Sequence, residues 1–141
     1  GDSYLECNYT AVAKAFKDSG KMGLMTVYRN NGEWDRSNVL FNDRKILRYD
    51  KLHPTPDMQH IDYGLGVLRS SALMPYSVGQ PFDLATVYQD LLKVDQLAAF
   101  EITNRFYEIG SPEGLKEANE FLANKACDDT HWKMARETFP C

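Results

Sequence analysis

The sequence predicts an α/β protein built on a mixed sheet with flanking helices. Two patterns carry this expectation. Segments of helical periodicity alternate with short β-rich segments, and a pair of strands spaced for a hairpin lies among them, which brings antiparallel pairing into the sheet. The composition agrees, since 43% hydrophobic and 26% charged residues belong to a folded globular chain.

The elements follow in order. Asn8 to Ser19 (NYTAVAKAFKDS) puts Val12, Ala15 and Phe16 on one helical face, with Asn8 or Thr10 as cap and Gly20 as stop. Met22 to Arg29 (MGLMTVYR) is apolar, β-branched and aromatic, as expected of a strand buried on both faces. Asn30 to Asp35 has turn chemistry, and the strands Asn38–Phe41 and Lys45–Asp50 form a hairpin turning on Asn42 and Asp43. Pro54 and Pro56 make Lys51 to Asp57 a loop. His60 to Ser70 (HIDYGLGVLRS) reads as a strand in which Gly64 and Gly66 permit close approach of backbone or ligand. A short helical turn stops near Pro75. From Asp83 a helix carries the stripe Leu84, Val87, Tyr88, Leu91 and Leu92. Strands at Leu97–Thr103 and Arg105–Gly110 precede a last helix with Ser111 as N-cap, Pro112 at its first position, and Leu115, Ala118, Phe121 and Leu122 facing inward.

At 141 residues the chain suffices for one domain with a real core. A net charge of −4 with interspersed signs argues against nucleic acid as the main partner. No apolar run approaches the roughly 20 residues that span a bilayer, and no basic-then-apolar leader opens the chain, so the expectation is a cytoplasmic protein with no membrane partner. Cys7, Cys127 and Cys141 lack metal-type spacing and read as reduced.

Candidate chemistry rests on carboxylates and one lysine. Asp2, beside a glycine at a strand end, sits where an open α/β sheet places ligands, and Glu108 precedes the turn into a capped helix. Two such acids could share one Mg²⁺, which takes one or two protein carboxylates when also bound to phosphate. Asp2 reads equally as an exposed terminal residue, and Glu108 as a solvent-facing strand position or an ion-pair partner of Arg105. Lys51 is either a point charge for a ligand phosphate or a solvated side chain. His60 and Asp62, two apart on one strand face, permit a hydrogen-bonded pair. There is no phosphate-cradling glycine-rich loop ahead of a helix and no Ser or Cys nucleophile motif.

Four segments in this order, GDSYL, YDKLHP, DYGLGVLRSSAL and FYEIGSPEGLKEANEFL, resemble the sugar-1-phosphate nucleotidyltransferases, which include glucose-1-phosphate thymidylyltransferases and mannose- or heptose-1-phosphate guanylyltransferases. The resemblance covers Gly1 to roughly Ala123, and is nearest the mannose and heptose guanylyltransferase-like branch. It implies a partial nucleotide-diphospho-sugar transferase (Rossmann-like) fold over residues 1–124, with 125–141 a tail of unknown role.

It further implies that Asp2 and Glu108 bind Mg²⁺, that Asp50 and Lys51 contact the sugar and its phosphate with Lys51 catalytic, and that Tyr63 and Gly64 hold sugar hydroxyls. The implied substrates are a sugar 1-phosphate and a nucleoside triphosphate, giving a nucleotide-sugar and pyrophosphate. Three departures stand out: Glu108 where the family usually has aspartate, Leu52 where it has proline, and no N-terminal Gly-x-Gly-Thr-Arg loop in these residues. The expectation is therefore a fragment inactive alone, or a non-catalytic sugar-phosphate-binding or oligomerisation module, with an exposed sheet edge favouring self-association.

Overall fold

The computed structural model describes residues 3–77 and 79–137, and side chains as far as Lys125. It resolves into two compact units, one formed by Glu6–Arg105 and the other by the two ends of the chain, Gly1–Leu5 with Phe106–Cys141.

The larger unit is a five-stranded mixed sheet with helices. Its strands are β2 (Gly23–Arg29), β3 (Val39–Asn42), β4 (Lys45–Tyr49), β5 (His60–Leu68) and β6 (Leu97–Ile102), in the order β4-β3-β5-β2-β6. β2 lies between β5, antiparallel, and β6, parallel. That central place explains its unbroken apolar run: Gly23 to Val27 are all buried.

Helix α1 (Tyr9–Ser19) begins at Asn8, whose Oδ1 accepts the Ala11 N–H at 2.9 Å. It ends at Gly20 in the left-handed conformation, with φ 66°. Helix α2 (Leu84–Lys93) is capped by Asp83, which accepts the Ala85 N–H at 2.9 Å. Its buried residues are Ala85, Val87, Tyr88 and Leu91, which join Met25, Val27, Val39, Ile46, Tyr49 and Leu97 in one core. Leu84, expected in that stripe, is instead 46% exposed, because it is the first helical residue and stands on the open first turn.

Two local features shape the strands. The β3–β4 turn consists of Asp43 and Arg44, with φ 48° and 62°. It falls one residue later than expected, because Asn42 still pairs with Lys45. In β5 the register against β2 slips: Met25 pairs with Gly66 and Val27 with Asp62, so Thr26 alone faces the stretch from Tyr63 to Leu65. The Thr26 hydroxyl donates to the Leu65 carbonyl at 2.6 Å and satisfies part of the disrupted ladder. Gly66 is required by space: a Cβ there would overlap the Tyr88 hydroxyl oxygen.

In the smaller unit β1 (Ser3–Leu5) pairs antiparallel with β7 (Phe106–Glu108), and α3 (Pro112–Glu137) packs on β7. Phe121 stacks on Tyr107 with 4.4 Å between ring centres. The Phe121 and Tyr4 ring centres are 6.2 Å apart. Ser111 caps the helix, its Oγ accepting the Gly114 N–H at 3.1 Å. The buried face is narrower than the sequence pattern: Ala118 is buried, but Leu115 and Leu122 are 48% and 40% exposed. The helix passes Asn124 without a break. Among the described residues no helix is long and apolar enough to cross a membrane.

Candidate functional site

Where β4 runs out into the proline loop, its last side chains meet the first half of β5. Strand alternation sends Ile61 and Tyr63 into the protein and Asp62 outward between them. Asp62 then becomes the centre of a small polar cluster. Its Oδ2 accepts the Tyr49 hydroxyl at 3.0 Å and lies 3.7 Å from the Lys51 Nζ; its Oδ1 accepts the Gly64 N–H at 3.0 Å. Gly64 reaches that carboxylate because it adopts φ 92°, a conformation open to glycine and costly for other residues.

Asn38 ties this cluster together from just ahead of β3. Its side-chain oxygen accepts the Asp62 N–H and its carbonyl accepts the Asp50 N–H, both at 3.0 Å. Burial pushes the Tyr49 phenol far up, with the Asp62 charge adding to the effect, so Tyr49 remains a protonated donor to that carboxylate. Lys51 sits half-exposed above this pair, its Nζ 5.9 Å from the Tyr49 ring centre. The cluster opens into a cleft of about 280 Å³ lined by Asp35, Arg36, Asn38, Lys51, Ile61 and Asp62. A larger cleft of about 580 Å³ shares Asp35 and Arg36 and continues along Asn31, Pro54, Thr55 and Gln59.

The other residues singled out in the sequence are placed differently from one another. The Asp50 carboxylate closes its own loop, accepting the Leu52 N–H at 3.0 Å, the His53 N–H at 2.9 Å and the Arg48 guanidinium at 3.2 Å. The His53 amide, first among these, holds it below the usual carboxylate range. Tyr63 is 2% exposed; its phenol donates to the Glu6 carbonyl at 3.4 Å, and burial pushes it up to about 12. Gly64 is exposed, with its N–H spent on Asp62. His60 and Asp62 do not bond to each other: the His60 Nε2 lies 3.0 Å from the Glu101 carboxylate, and its ring meets Phe41 edge-on at 4.9 Å.

Asp2 lies outside the described residues. Glu108 lies in the smaller unit opposite Ser3 in the β1–β7 register. Its Oε1 accepts the Gly110 N–H at 2.8 Å and its Oε2 the Ser111 hydroxyl at 3.0 Å, so it first of all shapes the turn into α3. Each oxygen keeps a lone pair, and the side chain is exposed, which fits a single bond to a Mg²⁺ that retains most of its waters. Among the described residues no group of three or more His, Cys, Asp or Glu is placed to hold a metal ion.

Asn38 and Arg36 were not legible as site residues. Asn38 lies just before a strand, where amides commonly serve turns, and its two bonds connect residues far apart in sequence. Asp62 had a signal, since strand alternation puts it opposite in sense to Ile61 and Tyr63.

No protein-family profile matches the chain, and no curated protein sequence matches it. Its fold does match solved structures. One is a crystal structure described as a glucose-1-phosphate thymidylyltransferase from Bacillus anthracis in complex with sucrose, with a TM-score of 0.73 at 14% sequence identity. The match covers 85% of this chain and 51% of that one, so this chain spans about half the length of that structure. The α/β mixed-sheet architecture is thus one that this chain shares with that structure.

Proposed function

We propose that this chain is the sugar-1-phosphate half of a nucleotidyltransferase that joins a sugar 1-phosphate to a nucleoside triphosphate, giving a nucleotide-sugar and pyrophosphate. The observation that carries this reading is Lys51. It emerges from β4 at the mouth of a polar cleft, held beside Asp62, in a fold shared with a protein described as a glucose-1-phosphate thymidylyltransferase.

The residues divide the work as follows. Lys51 is the point charge for the substrate phosphate, and Asp62 with Tyr49 fixes its position. Asp62 and Asn38 present acceptors to sugar hydroxyls, and the exposed Gly64 leaves room for the ring. Asp50 and Tyr63 act one step back: Asp50 closes the loop that carries Lys51, and Tyr63 anchors β5 from inside. Mg²⁺, when bound, supplies charge neutralisation on the phosphates. Glu108 is its proposed ligand in the described residues, with Asp2, the neighbour of Ser3, as the second. The reaction needs no covalent intermediate on the protein, in keeping with a site built of a cation, acceptors and a cleft.

Isothermal calorimetry tests this with glucose, mannose and heptose 1-phosphates in the presence of Mg²⁺. At least one of them binds, and Lys51→Ala weakens it about tenfold or more, since hydrogen bonds to charged groups contribute about 1.5–3 kcal/mol and roughly 1.4 kcal/mol is a factor of ten. Absence of binding by the unmodified chain overturns the reading. A second reading, a sugar-phosphate-binding module without catalysis, is favoured by one observation: the whole Lys51 cluster lies within Glu6–Arg105. It makes the same binding prediction and separates from the first in the longer protein, where it predicts no turnover.

A further inference from the structure

The cleft beside Lys51 holds a second cation whose charge has no counterpart among the described residues. Lys51 is already committed, 3.7 Å from an Asp62 carboxylate whose side chain is only 13% exposed. Arg36 lines the same cleft and also the larger one next to it, so it stands at their junction. Its backbone N–H is taken by the Asp35 carboxylate at 2.6 Å, while among the described residues no hydrogen bond or ion pair occupies its guanidinium. Arg36 is therefore a planar fork of five donors, free to meet an incoming oxyanion in two parallel bonds.

The loop that carries Arg36 is held from within. Asn30 is fully buried, and its side-chain amide donates to the Asp35 carbonyl at 2.5 Å and the Ser37 hydroxyl at 3.3 Å, while its oxygen accepts the Trp34 N–H at 3.2 Å. Ser37, itself buried, accepts the Gly32 N–H at 3.2 Å. The Asn30 and Asn31 N–H groups both donate to the Gln59 carbonyl, at 3.0 and 2.9 Å, which ties this loop to the start of β5. The backbone at Arg36 is thus positioned before any ligand arrives, and only the side chain must be ordered on binding.

We propose that Arg36 is the principal phosphate-binding residue of this cleft. The phosphate lies at the junction of the two clefts, with the sugar ring in the smaller one against Asn38 and Asp62. Lys51, its charge shared with Asp62, holds the bridging side of the phosphate as the weaker of the two cations. This assignment rests on the sugar-phosphate reading for the identity of the ligand, but not for the anion site itself.

The test uses the full chain, with inorganic phosphate and a sugar 1-phosphate as separate calorimetric probes, together with Arg36→Gln and Arg36→Lys. Circular dichroism of each variant confirms folding, which an exposed arginine does not govern. Expected are loss of phosphate binding by about tenfold or more in Arg36→Gln, partial retention in Arg36→Lys because an ammonium cannot form the paired bonds, and a steeper salt dependence in the unmodified chain than in Arg36→Gln. Sugar 1-phosphate binding that Arg36→Gln leaves unchanged overturns the assignment and leaves the Lys51 site standing. Phosphate binding abolished by Arg36→Gln, with sugar 1-phosphate bound no more tightly than phosphate, supports Arg36 and overturns the sugar-phosphate reading. No binding of either probe overturns both.

Discussion

Single residues in this chain owe their identity to contacts that are remote in sequence, and Gly66 is the clearest. It faces Tyr88 of α2, whose hydroxyl oxygen would lie well inside van der Waals contact of any Cβ at that position. Gly66→Ala is expected to destabilise the protein by about 1–3 kcal/mol, the usual cost of forcing extra volume into a packed site. The expectation has an internal control: with Tyr88→Phe the nearest obstacle becomes the ring carbon at 3.0 Å, so part of the loss returns. Urea denaturation of the two single variants and the double variant measures this, and equal losses from Gly66→Ala in both backgrounds would sink the explanation. The glycine was readable from the sequence as a place of close approach; the phenol on the other side was not, because it belongs to another element.

At the scale of elements, periodicity and caps were legible and pairings were not. Asn8, Gly20, Asp83 and Ser111 mark helix ends through their own short-range chemistry, so each was visible without a fold. The bulge in β5 was invisible, because it exists only relative to β2. The Arg44 turn position was likewise hidden, since an arginine in the left-handed region is disfavoured and is fixed here by strand register. The start of α3 offers a test in which two effects compete. Alanine is about 1 kcal/mol better than glycine inside a helix, so Gly114→Ala looks favourable from sequence. Yet a Cβ there would overlap the Glu108 carbonyl oxygen, a backbone atom that cannot swing away. The clash wins: thermal melting followed by circular dichroism is expected to show a lower Tm, and a raised Tm would mean that α3 begins elsewhere.

For the molecule as a whole, the fold class was readable because it follows from the alternation of periods, and the candidate site was readable only in part. Lys51 stood out because it sits beside an acidic residue at a strand end, before a proline loop. Arg36 did not, since nothing in its neighbours' identities tells which way a loop will carry it. The 141 residues contain no glycine-rich triphosphate loop, and this sets the expectation for chemistry. Incubated alone with a sugar 1-phosphate, a nucleoside triphosphate and Mg²⁺, the chain releases no pyrophosphate above the uncatalysed background; a coupled phosphate assay that found turnover would show that the loop is dispensable or replaced.

The pairing of β1 with β7 has a consequence for how the chain reaches its folded state. Glu6–Arg105 is continuous, whereas the smaller unit needs Ser3–Leu5 to find Phe106–Glu108 from opposite ends of the sequence. Closing so long a loop carries an entropic penalty that local contacts do not. The larger unit therefore draws on one continuous stretch, whereas during synthesis β1 waits without its β7 partner until residues 106–108 have been made. A circularly permuted chain that opens at a surface loop of the larger unit and joins the old ends by a linker would place β1 after α3, so that the loop between β7 and β1 spans α3 in place of the whole larger unit and costs less to close.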